Sequence, residues 1–117
     1  METVPAQYKS RNLYVHNATV TLMRTTAEEN ARIGRWIGDK LNRMQGKVRF
    51  FIPEGGVSLI DAPGKPFHDP EADAALFAAL DATVKRAPNR QLIRLPHNIN
   101  DPAFADALVA AWREIAR

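Results

Sequence analysis

The sequence predicts an α/β fold, in which three βα units form a small parallel sheet flanked by helices, like a fragment of a Rossmann-type domain. Three apolar, β-branched or aromatic runs predict it: "LYVHN" (13–17), "VRFFI" (48–52) and "QLIRLP" (91–96). Each is followed by a stretch of helical period. Strand and helix alternating in this way argue for right-handed crossovers and parallel strands.

The helix after the first run begins at Thr26, with Glu29 three residues on as a capping box, and Gly46 suits the position past its end. Ile33, Ile37, Leu41 and Met44 fall on one face, while Arg35, Asp39 and Arg43 form a charged ladder opposite. Trp36 projects near the charged side. The second helix starts at Asp69-Pro70, a cap residue with proline at the first helical position, and carries the stripe Leu76, Phe77, Leu80 and Val84. Asp101-Pro102 repeats that start. Phe104, Leu108, Trp112 and Ile115 then line one face, which places Trp112 in the core.

The 117 residues read as a single module, 1–117, with 45% hydrophobic and 25% charged content. The absence of cysteine excludes disulfides and thiolate zinc sites, and suits a reducing, cytoplasmic location. "METVPAQYKSRN" lacks a signal peptide's apolar stretch, and no run reaches membrane-spanning length. The net charge of +3 is mild, and its basic residues are interleaved with Glu28, Glu29 and Asp39. That mixture marks a solvated helix face rather than a nucleic-acid track. Three parallel strands make a narrow sheet with exposed edges. The module is therefore expected either to pair with copies of itself or to be part of a larger protein.

In open α/β sheets ligands bind outside the carboxyl ends of the strands. The first strand delivers His16 and Asn17 there, with Thr19 and Thr21 close behind, the second Glu54, Gly55, Gly56, Ser58 and Asp61, and the third His97, Asn98 and Asn100. Two helix N-termini face the same rim and attract anions. Gly55-Gly56 suits either a plain turn or a close backbone approach to a ligand. Asp73 falls within its helix's apolar stripe, so it either compensates the helix dipole or aims a carboxylate into the site. "DAPGKPF" lacks the serine or threonine and the first glycine of a phosphate loop, and no G-x-G-x-x-G is present. The three histidines come from separate segments, so no metal site is expected. A hydrolase using Glu54 or Asp61 with His97 as acid and base is a further alternative.

The stretches "RNLYVHN", "TLMRTTAEEN", "IPEGGVSLIDAPGKPFHDPEADAALFAAL" and "HNINDPAFADAL" together resemble the ATP-binding family named for the tomato mosaic virus resistance protein, whose bacterial members are mostly uncharacterised. The resemblance runs from about Val4 to the C-terminus. It implies a longer, two-domain α/β protein of which this sequence resembles the C-terminal portion, so that a missing N-terminal domain is the expected partner. It also implies that Glu54, Gly55, Gly56, Ser58, Asp61, His97 and Asn100 belong to an interdomain cleft. The expected function is nucleotide binding, with ATP and Mg²⁺ at the carboxyl edge. Glycine N–H groups and helix N-termini would hold phosphate, and Asp61 or Asp73 would hold Mg²⁺ or a ribose hydroxyl. The alternative is an interaction or oligomerisation module without catalysis.

Overall fold

A short strand that the periodicity does not mark changes the role of the first βα unit. Val20–Met23 (β2) pairs antiparallel with Leu13–Asn17 (β1), and together they form a separate two-stranded hairpin. The computed structural model describes residues 3–116. The remaining elements are a short 3-10 helix, Ala6–Tyr8, the helix Ala27–Asn42 (α1), strand Val48–Pro53 (β3), helix Pro70–Thr83 (α2), strand Arg90–Leu95 (β4) and helix Pro102–Ile115 (α3). The α/β class and the small parallel sheet stand, with β3 and β4 paired in parallel from Val48–Arg90 to Pro53–Leu95. The first strand, however, does not join that sheet. The hairpin closes on Asn17, whose Oδ1 accepts hydrogen bonds from the Thr19 backbone and hydroxyl.

Helix α1 opens with the capping box as expected: the Glu29 N–H donates to the Thr26 hydroxyl, and the Thr26 N–H donates to the Glu29 carboxylate. Its buried face is rotated from the one read by hydrophobicity. Asn30, Gly34, Gly38 and Leu41 are buried, whereas Ile33 and Met44 are exposed. The reason is close helix packing. A Cβ on Gly34 would stand 2.7 Å from the Ala79 Cβ, and one on Gly38 would stand 2.7 Å from Thr83. Small residues four apart let α1 and α2 approach, and Asn30 Nδ2 seals the contact on the Ala72 carbonyl at 2.8 Å.

Strand β3 alternates between two faces. Val48, Phe50 and Ile52 point into the core with Leu41, Phe77, Leu80 and Val84. Phe51 points the other way and meets Phe104 of α3 edge-on at 6.4 Å. Helix α3 thus covers the opposite face, and only Phe104 of its apolar stripe is buried. Trp112, expected in the core, is 66% exposed, and Leu108 and Val109 are exposed beside it. Helical period correctly identifies an apolar face; it does not say what covers it. The radius of gyration, 16.2 Å, exceeds the roughly 13 Å of a compact domain of this length. No helix among the described residues is long and apolar enough to cross a membrane.

Candidate functional site

The residues expected to share one rim are divided by the structure among several places. Glu54, Gly55 and Asp73 line a polar cleft of about 380 Å³ between α2 and the ends of β3 and β4, together with His68, Asp81 and Arg94. His16 and Ser58 line a second, mostly apolar cavity of about 530 Å³, between the hairpin and the loop after β3. Asn17 lies in the hairpin turn instead of at the sheet edge. His97 and Asn100 belong to the β4–α3 connection, where the His97 carbonyl accepts from the Gly55 N–H at 2.9 Å and the Asn100 N–H donates to Asn98 Oδ1.

Between the two depressions lies a buried ionic cluster that sequence reasoning did not assemble. Arg24, 6% exposed at the exit of β2, donates through Nη2 to Asp73 Oδ1 at 2.7 Å and lies 3.2 Å from Asp61 Oδ2. Its Nε donates to the Phe67 carbonyl at 3.1 Å. One guanidinium therefore joins the hairpin, the long loop and the first turn of α2. Asp61 is 1% exposed; its Oδ2 accepts from the Val57 N–H, and its Oδ1 is buried without a hydrogen-bond partner. Each aspartate faces Arg24 through one oxygen, Asp61 through Oδ2 and Asp73 through Oδ1. Among the described residues no group of three His, Asp or Glu side chains is placed to hold a metal ion.

Burial pushes the Asp73 carboxyl up to about 6; the neighbouring Asp61 carboxyl adds to the rise, and Arg24 opposes it. Two carboxyls against a single cation are best accommodated with one proton retained. That proton has a consequence for stability. The folded-state value lies above the ordinary 3.8, so the folded chain holds a proton that the unfolded chain releases. Stabilisation from Asp73 is therefore complete at low pH and is lost as pH rises through about 6. Asp73→Asn should flatten the pH dependence between about pH 4.5 and 7 by an amount on the order of 2 kcal/mol. Urea unfolding of both proteins across that range checks this, and parallel pH profiles would contradict it.

Around the cluster, the glycines and Asn98 close the loop. Gly56 adopts φ +128°, and a Cβ there would lie 1.8 Å from the Asp61 carbonyl oxygen. A Cβ on Gly55 would meet the His97–Asn98 backbone at 2.5 Å. The close approach expected of this pair is thus to the chain itself. Their N–H groups are occupied too, Gly55 on His97 and Gly56 on the Pro53 carbonyl. Asn98, expected at the rim beside His97, instead donates from Nδ2 to the carbonyls of Ser58 and Asp61 at 2.9 and 3.1 Å. The helix starts are similarly closed. Asp69 caps the Ala72 N–H of α2, and the Asp101 carboxylate accepts from the Asn98 N–H rather than from its own helix.

In the polar cleft, Arg94 pairs with Asp81 and Glu54. Against its burial, the ion pairs to Arg94 and Arg86 hold Asp81 below the ordinary carboxylate range. The apolar cavity differs in chemistry. Tyr14, Leu22, Leu59 and Phe67 supply its walls, and Leu59 is 67% exposed at the rim. The backbone N–H groups of Ser58, Leu59 and Ile60 make no hydrogen bond to the described residues.

A parallel βαβ core with a clasped loop at its carboxyl edge defines a mixed α/β module. Residues 1–116 match the C-terminal domain of an uncharacterised protein family, UPF0261, and the chain belongs to that family. It is 62% identical over 115 residues to a UPF0261 protein of Rhizobium meliloti, covering 98% of this chain and 29% of the relative. A UPF0261 protein of Clostridium tetani is 54% identical over 108 residues, covering 92% of this chain and 26% of that protein. The ToMV resistance protein Tm-1(GCR237) of Solanum lycopersicum is 42% identical over 114 residues, 97% of this chain and 15% of that protein. The chain thus spans less than a third of the length of these relatives.

Proposed function

We propose that this module carries part of a nucleotide site, with ATP as the ligand, in the apolar cavity between the hairpin and the β3–α2 loop. The observation that carries the reading is that Ser58, Leu59 and Ile60, whose N–H groups make no hydrogen bond to the described residues, line that cavity. A volume of about 530 Å³ falls in the range of small-molecule pockets, which are mostly apolar with a few converging polar groups. A planar base fits between apolar walls, and successive backbone N–H groups suit phosphate oxygens. This differs from the site expected from sequence: Ser58 and His16 remain in it, while Gly55 and Gly56 shape the loop from behind. Mg²⁺ would arrive with the nucleotide or be held by other parts of the longer proteins.

Calorimetric titration with ATP, with and without Mg²⁺, tests the reading. Leu59→Glu is the informative variant. Its side chain is exposed, so the fold should be unaffected, while a carboxylate at the rim would repel phosphate. Saturable binding weakened at least tenfold by Leu59→Glu is expected. Binding unchanged by the substitution would overturn this placement of the site.

A further inference from the structure

Strand β3 has a free edge, and α3 leaves much of its apolar face exposed beside it. Because β3 and α2 lead to β4 on one face of the sheet, a right-handed continuation from β4 through a helix on the other face returns toward β3 and beyond it. Helix α3 takes that course: it packs on β3 through Phe104 and Phe51. Phe51, Leu108, Val109, Trp112 and Ile115 border a groove of about 430 Å³ there. The edge beneath is unsatisfied as well. The Val48 N–H donates to Asn89 and the Glu54 N–H to Leu95, so even-numbered positions face β4. The N–H groups of Arg49 and Phe51 then point outward, where a further strand would lie.

We infer that this surface is the seat of the remaining polypeptide of the family's longer chains, which lays a strand along β3 and apolar side chains into the groove between Phe51 and Trp112. The family's chain length argues for that occupant. The three relatives carry about seven tenths or more of their length outside the matched part, 29% being the largest share covered. The radius of gyration of 16.2 Å, above the roughly 13 Å of a compact domain, fits a sheet that lacks neighbours. Exposed apolar surface beside an open strand edge is the ordinary mark of an interface. The surface lies on the face of the sheet that α3 covers and shares no lining residue with the apolar cavity, so it stands apart from the nucleotide reading.

Amide hydrogen exchange compares this chain alone with the intact Rhizobium meliloti relative, with the mass of the isolated chain in solution measured alongside. The expected result is a monomeric chain in which the Arg49 and Phe51 amides and the α3 stretch exchange at least tenfold faster than the matching positions of the intact relative. Equal exchange in the two proteins would overturn the inference. So would a dimeric chain already protected at these positions, since a second copy would then be the occupant.

Discussion

Arg24→Met is expected to cost about 3–5 kcal/mol of folding stability, because it leaves two buried carboxyls without their cation. Asp61 is 1% exposed and Asp73 is also buried, so water cannot replace the guanidinium. The substitution also frees the Phe67 carbonyl that Nε holds at 3.1 Å. A chain of this size has only about 5–15 kcal/mol in total, so Arg24→Met should sit close to unfolding. Arg24→Lys keeps the charge but cannot reach three acceptors from one planar group, and should fall between. Because protonation relieves carboxylates left without a cation, the deficit of Arg24→Met should shrink toward about pH 5. Urea unfolding followed by circular dichroism measures all three proteins. A loss under about 1 kcal/mol would show that the cluster does not hold the hairpin, loop and α2 together.

Gly56→Val is the second large effect, and it bears on how a loss of binding should be read. The substituted Cβ would have to occupy space 1.8 Å from the Asp61 carbonyl oxygen, at a φ of +128° that side chains rarely adopt. Backbone strain alone costs on the order of 1–3 kcal/mol, and the overlap requires the loop to be rebuilt. Gly64 separates the two causes. It has φ +79°, and a Cβ placed there would meet nothing within 4 Å. Gly64→Ala should therefore lose only about 1 kcal/mol, from strain without collision. If thermal unfolding shows both substitutions to be equally mild, the loop is not clasped as described. A Gly56 variant that fails to bind ATP reports on folding, which makes Leu59→Glu the better probe of the site.

Several features are legible in the sequence because their chemistry is local. Thr26 with Glu29 and Asp69 with Pro70 mark helix starts within four residues, and both form as read. Val48 to Ile52 needs only its own β-branched and aromatic character. Strand β2 escapes such a reading because four residues of alternation after a turn without Asn-Gly give little signal. The buried face of α1 differs from its hydrophobic stripe because helix approach selects Gly34 and Gly38, which carry no hydrophobicity. Their spacing of four is the available clue.

The candidate site is legible in part. Ser58 and His16 do share a cavity, although they come from a hairpin and a loop rather than from neighbouring parallel strands. Arg24 leaves no pattern, since its partners Asp61 and Asp73 lie 37 and 49 positions further along the chain. Asp73 does give a warning, a carboxylate within an apolar stripe, and the structure supplies its reason in Arg24. Trp112 shows the converse: its helix face is apolar as read, yet among the described residues nothing buries it.

The most direct measurement for the nucleotide reading is an amide-resolved NMR titration of the isotopically labelled chain with millimolar ATP. Shifts concentrated at Ser58, Leu59 and Ile60, with smaller ones at Tyr14 and His16, are the expected result. A well-dispersed spectrum in which those amides stay still, or in which only residues around Arg94 move, would contradict it.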